Sequence, residues 1–289
     1  MAGHGRRFQR LRQIQRLDPD RDYHEIYRTT ALYEFPVDVR IGLLLAFWRT
    51  FAVPSIAELL AGTGQTTNRT ARRADDTGIL MYELIDHGLD HPRGRTATRR
   101  LNQIHRRFAI GNDDYRYVLG TFVFVGSRWI EAHGWRPLCC HERQAIFNFY
   151  AELGRRMNIA DIPPTWTGYE AWFDRFEAAR FARTDAAREL MAATKGLLAD
   201  LPRPLVPLGS RLVDALVDPS LRAATGLATP SWPVRAGLDT ALRIRALMLR
   251  HVLPPRRDSS LAGGLRPRTY PDGYDLATVG GVEPGRPHP

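Results

Sequence analysis

Apolar residues recur along this chain at the three-to-four-residue spacing of helices, and no stretch alternates strictly between apolar and polar positions as a half-buried strand would. Ile146, Phe149, Tyr150, Leu153 and Met157 fall on one stripe, which predicts a buried helix. Thr167 with Glu170 three positions later, ahead of Trp172, Phe173 and Phe176, has the form of a capping box and predicts a second helix start. A third helix is expected from Pro233 to Val252, stopped by Pro254 and Pro255. The pattern predicts an all-α protein with one multi-helix domain over residues 23–253. No repeat of fixed period interrupts it.

The two ends read differently. From Pro254 the sequence PPRRDSSLAGGLRPRTYPDGY is rich in Pro, Gly and Arg and offers little apolar surface to offset the entropy of ordering, so residues 254–289 are expected to be extended or disordered. Residues 1–22 form a basic arm. Phe8, Leu11 and Ile14 fall on one face of a short amphipathic helix there, which suits a solvated arm or a weak association with a membrane surface.

Composition narrows the setting. A chain of 289 residues with 44% hydrophobic content can bury a substantial core. Its most apolar window, Ile41 to Leu60, is broken by Arg49, Pro54 and Glu58 and falls short of the ~20 clean residues of a bilayer span. The basic N-terminus lacks the continuous apolar core of a signal peptide, and the adjacent Cys139 and Cys140 cannot staple distant segments. A cytoplasmic location is expected. The net charge of +10 invites a nucleic-acid reading, but Lys195 is the only lysine, so the excess is arginine, and no interleaved aromatics or known motif accompanies it. Neither DNA nor RNA is expected as a partner.

Candidate chemistry concentrates between Glu83 and Asp114. Glu83 follows Ile79 by four positions and Leu80 by three, so it should face the core, where burial tends to raise a carboxylate's pKa and fit it for acid–base work. A salt bridge to a nearby arginine or a hydrogen bond to His87 would explain it equally well. Gly88 should close this helix as a left-handed C-cap. The next helix, from about Thr96 to Ala109, turns Leu101, Ile104 and Phe108 inward, and with them His105, either a satisfied core histidine or a ligand. Arg93, Arg95, Arg99, Arg100, Arg106 and Arg107 surround it and call for anions, from a cofactor, a phosphate or neighbouring acids. Asn112 reads as an N-cap, with Asp113 and Asp114 in the first turn where the helix dipole favours them. A helix N-terminus can lower a thiol pKa, but Cys139 and Cys140 diverge by about 100° on a helix, so this pair reads as structural.

The runs YELIDHGLDHPRGR, RRLNQIHRRFAIGNDDYRYVLGTFVF, SRWIEAHGWRPL and ELGRRMNIADIPPTW occur in an order that resembles the MpaB-type oxygenases, a family that includes the catalytic domain of rubber oxygenases. The resemblance spans roughly Tyr23 to Tyr274. It implies an all-α fold, haem b, and oxidative cleavage of carbon–carbon double bonds in a hydrophobic, isoprenoid-like small molecule by dioxygen. It also implies that Glu83 is the base and that Arg99 or Arg100 is the arginine of the following helix, acting on the reaction or on the haem propionates. Where rubber oxygenases carry their iron-binding histidine, this sequence reads Val118, Leu119 and Gly120. Iron needs another donor, for which His105 is the first candidate and His87 the second. A non-haem site built from His87, His91 and His105, a fold that persists without haem, and a helical lipid-binding or scaffold protein are the alternatives.

Overall fold

The computed structural model describes residues 7–196, 206–261, 264–265 and 267–281. Among them every regular element is helical. In chain order these are α1 (Gln9–Ile14), α2 (Tyr23–Thr29), α3 (Pro36–Thr50), α4 (Pro54–Gly62), α5 (Gln65–Asn68), α6 (Thr70–His87), α7 (Pro92–His105), α8 (Asn112–His133), α9 (Cys140–Arg156), α10 (Trp166–Arg180), α11 (Asp185–Gly196), α12 (Val206–Leu216), α13 (Pro219–Thr225) and α14 (Trp232–Leu247). Single π-helical turns extend α2 over Thr30–Glu34 and α14 over Met248–Val252.

Local chemistry sets the helix starts. Pro36, Pro54, Pro92 and Pro219 open α3, α4, α7 and α13, where a missing N–H costs nothing and the fixed φ favours the first turn. Three caps fall elsewhere than the sequence suggests. The hydroxyl of Thr165, rather than Thr167, accepts from Gly168 N at 3.1 Å and starts α10. Gly111 is the N-cap of α8, while the Asn112 side chain instead exchanges two hydrogen bonds with the backbone of Ala160. Gly88 does have positive φ, but at φ 81° and ψ 163° it is not a left-handed cap. It makes a sharp exit from α6 so tight that a Cβ on Gly94 would lie 1.8 Å from its carbonyl oxygen. That turn brings α7 in at Pro92, four residues before the expected start, and α7 ends at His105.

The central pair is α3 against α8. Gly42 and Gly126 let the two backbones touch: a Cβ on Gly42 would stand 2.5 Å from Gly126 Cα, whereas one on Gly126 would meet Gly42 Cα at 3.8 Å. Helices α2 and α9 pack together beside this pair, with Tyr27 Oη and Tyr150 Oη 2.7 Å apart in the core. Buried ion clusters fasten the periphery. Arg136 binds both oxygens of Glu142, at 2.6 and 2.8 Å, and reaches Glu34 at 3.1 Å. Arg49 grips Glu177 and Asp218, and Tyr117 donates to Glu177 at 3.0 Å.

The two ends pack where looser segments were expected. Ile14 of α1 is buried against Ile26 and Ala145, and Arg7, just before α1, stacks on Trp135 with its guanidinium carbon 4.1 Å from the ring centroid. The described residues after Leu253 form no helix beyond short turns, yet they run back over α6 and α7 and bury Leu276 and Val279. No single helix among the described residues is long and apolar enough to cross a membrane. Only α3 and α4 taken together pass on length and composition, and they are bent by 94°.

Replacing Gly42 by Ala should lower stability by about 1–3 kcal/mol, because its new methyl meets backbone rather than a movable side chain. Gly126→Ala should change stability by less than about 1 kcal/mol, since ordinary contact and better helix propensity oppose any cost. Thermal melts of the two variants check this asymmetry.

Candidate functional site

A cavity of about 480 Å³ opens between α3, α4, α6, α7 and α8. Phe47 and Leu59 line one side, Leu80, Met81 and Ile104 another, and Val118, Leu119 and Phe122 of α8 a third. Gly280 and Gly281, close to Ile104 and Arg100, complete the wall from the C-terminal segment. A volume of this size and mostly apolar walls suit an elongated organic molecule.

His105 faces this cavity, as its spacing from Leu101 and Phe108 suggests. Its Nδ1 lies 2.8 Å from the carbonyl oxygen of Leu101, and because a carbonyl can only accept, Nδ1 carries the proton. The lone pair therefore sits on Nε2. Burial lowers the imidazole pKa, the Leu101 carbonyl opposes that shift, and the nearby charge of Arg73 adds to it, so the ring is neutral at physiological pH. Tyr115 packs edge-on against the ring at 5.6 Å. Leu119, which stands where the resemblance places a histidine, looks into the same cavity.

Glu83 is buried, as its position predicts, but its surroundings are those of a clamp. Arg93 binds it with two nitrogens, Nε at 2.7 Å, and Tyr274 Oη donates to it at 2.6 Å. His87 Nδ1 stands 3.3 Å away in a geometry that makes no hydrogen bond. The expectation of a raised pKa is corrected: burial does push it up, but hydrogen bonds from Arg93 and Tyr274 and the charge of Arg93 outweigh that and hold the carboxyl below its usual range. Glu83 does not line the cavity, and neither does His87.

The two candidate arginines part company. Arg99 is exposed and donates to Thr96 at 3.2 Å. Arg100 is buried and binds the carbonyls of Val279 at 2.6 Å and Thr278 at 3.3 Å, holding the C-terminal segment just behind the cavity wall. His87 and His91 pair with ring centroids 5.0 Å apart, well separated in role from His105 in the cavity. Among the described residues no group of three or more His, Cys, Asp or Glu side chains is arranged to hold a metal ion, so the three-histidine site is not assembled. Cys139 serves as N-cap of α9, and burial followed by the charge of Glu142 raises its thiol pKa, contrary to what a helix N-terminus alone would do.

Arg73 is a cavity residue that the sequence did not single out, and Asp114, read there as a first-turn acid, also lines the cavity. A signal for Arg73 was present. It precedes Thr77, Leu80 and Met81 by four, seven and eight positions, the spacing of one helix face.

The Glu83 clamp has a pH signature. A carboxylate held below its unfolded pKa adds stability that is complete above the unfolded value, near 4.5, and lost as pH falls through the folded one. Acidification below about pH 4.5 should thus release the C-terminal segment, read as faster proteolysis between Leu253 and Gly281. Glu83→Gln should give that faster cleavage already at neutral pH and flatten its pH dependence.

Residues 34–250 match the family described as ER-bound oxygenase mpaB/B′/Rubber oxygenase, catalytic domain. The chain is 28% identical over 256 residues to the ER-bound oxygenase mpaB′ of Penicillium brevicompactum, covering 82% of this chain and 60% of that protein. It is also 28% identical over 250 residues to the ER-bound oxygenase mpaB of Penicillium roqueforti (strain FM164), covering 75% and 83%. With the mpaB protein of Penicillium brevicompactum it shares 26% over 245 residues, 82% of this chain and 59% of that one. The chain thus spans about three fifths of the length of two of these relatives. The family match runs from the π-turn after α2 to the end of α14 and takes in the whole helical frame around the cavity, so the chain belongs to the family of MpaB-type oxygenases and rubber oxygenase catalytic domains.

Proposed function

We propose that this protein is an oxygenase that admits dioxygen and a hydrophobic small molecule to the cavity beside α6 and α8, with haem b bound through His105. Family membership supports the reaction class, and the carrying observation is the histidine itself: a neutral imidazole whose Nδ1 proton is committed to Leu101, leaving Nε2 unprotonated in an apolar cavity. That is the form in which histidine binds iron, and a backbone acceptor on the far nitrogen is the usual way to fix it. Haem would supply the activation of dioxygen that no side chain can provide.

The chain's own residues then have defined tasks. His105 would hold the iron through its imidazole nitrogen. The walls formed by Phe47, Leu80, Val118 and Phe122 would hold an apolar, isoprenoid-like chain and keep water from it, for oxidation or cleavage at a double bond. Glu83 and Arg100 act one layer out, anchoring the segment that carries Gly280 and Gly281. Ionised, held by Arg93 and Tyr274, and off the cavity wall, Glu83 suits positioning better than proton abstraction.

A visible spectrum of protein purified from cells supplied with a haem precursor should show a Soret band with matching iron content. His105→Ala should lose that band while keeping its far-ultraviolet circular dichroism. A wild-type protein without band or iron would end the haem reading, and bound lipid in its place would favour a non-catalytic lipid carrier. A band retained in full by His105→Ala would move the ligand elsewhere.

A further inference from the structure

The cavity that holds His105 also holds an arginine that no carboxylate among the described residues meets at ion-pair distance. The Arg73 guanidinium donates to the Thr77 hydroxyl one turn on, and among the described residues it forms no ion pair with any acid. Asp76, the acid that acts on it through space, is engaged by the hydroxyl of Tyr270 and by Arg72 at 3.8 Å. Asp114, the other acid of the wall, makes no ion pair either, and its Oδ1 has no hydrogen-bond partner. Most other interior arginines are served differently: Arg136 has Glu34 and Glu142, Arg49 has Glu177 and Asp218, Arg100 and Arg222 have backbone carbonyls, and Arg7, which among the described residues lacks a carboxylate too, lies on the Trp135 ring instead.

A partly buried guanidinium without a paired counter-charge is costly, and an anion arriving in the cavity would complete it. Burial pulls its pKa below the usual arginine value, with Asp76 only partly opposing, so the charge is poorly compensated as the protein stands. Arg69 and Arg107 line the same cavity from exposed positions and carry no partner among the described residues, which leaves a positive rim to draw anions inward.

We propose that Arg73 is an anion anchor inside the cavity and that it binds the carboxylate of an elongated, otherwise apolar molecule lying along Phe47, Leu59, Leu80 and Phe122. The planar fork of a guanidinium matches the two oxygens of a carboxylate. This names a substrate class for the oxygenase reading above and rests on its choice of cavity, although binding itself needs no catalysis. Two kinds of molecule carry such a group, a fatty acid-like substrate and the propionates of haem, and the test separates them.

Cofactor-free protein is titrated calorimetrically with dodecanoate and with dodecanol, and by absorbance with haem and with haem dimethyl ester. The wild type should prefer each acid over its uncharged counterpart, by roughly tenfold or more for the anchored one. In Arg73→Met the preference should vanish while dodecanol affinity and circular dichroism stay unchanged, which shows that the cavity is intact. Arg73→Lys should restore part of it. Loss confined to the dodecanoate pair assigns the anchor to substrate, and loss confined to the haem pair assigns it to the cofactor. A wild type that prefers neither acid, or an Arg73→Met variant that keeps both preferences, overturns the proposal. Because the dodecanoate titration uses protein without haem, a missing Soret band leaves it standing, and a failed anchor leaves the Soret experiment standing.

Discussion

With no side chain on Gly42 or Gly126, α3 and α8 approach until backbone meets backbone, and the elements that line the cavity take their places from that approach. Phe47 and Thr50 lie further along α3 and Phe122 and Leu119 earlier along α8, so the two helices present the cavity with faces fixed by their own crossing. Dense interiors transmit such constraints because they yield little volume. Two of the cavity's remaining walls, α6 and α7, are held from outside by polar contacts: Tyr270 on Asp76, Tyr274 on Glu83, and Arg100 on the Val279 carbonyl.

Those contacts explain where much of the arginine goes. Buried charge is tolerated when bidentate pairing and further hydrogen bonds replace the lost water. Glu142 meets that condition fully: it binds Arg136 with both oxygens and also accepts from Thr30 at 3.0 Å and from the backbone of Cys139 at 2.9 Å. Asp38 does so with two nitrogens of Arg245, each at 2.8 Å, and Trp129 Nε1 at 3.2 Å. The surplus of +10 thus coexists with an interior in which most arginines have structural duties, and a nucleic-acid partner is not needed to account for their number.

Helical class and the inward turns of Glu83 and His105 were legible because they depend on spacing within a single helix. The stripe from Ile146 to Leu153 is buried for the same reason. What was illegible depends on residues far apart in the chain. The sign of the shift on Glu83 is set by Arg93 ten positions away and by Tyr274 191 positions away, and nothing in the local pattern announces the second. The C-terminal segment has too little apolar surface to predict its own order. It is held by scattered polar anchors, Tyr274 on Glu83, Tyr270 on Asp76, Thr269 on Asp75 and Val279 on Arg100, supplied by two helices that sequence reading treats separately. Arg73 escaped notice because an arginine near a helix start reads as solvated, although its spacing from Leu80 and Met81 puts it on the face that lines the cavity.

The distance in sequence between Glu83 and Tyr274 also has a meaning in time. Polypeptides emerge at about 5–20 residues per second, so roughly 10–40 s separate the appearance of Glu83 from that of its partner. During that interval α6 and α7 can already form and Arg93 can reach Glu83, yet Asp76, Glu83 and Arg100 lack their C-terminal partners and the wall made by Gly280 and Gly281 is absent. The nascent chain therefore passes through a stage in which the large cavity stands open on one side, when a chaperone would find it most accessible.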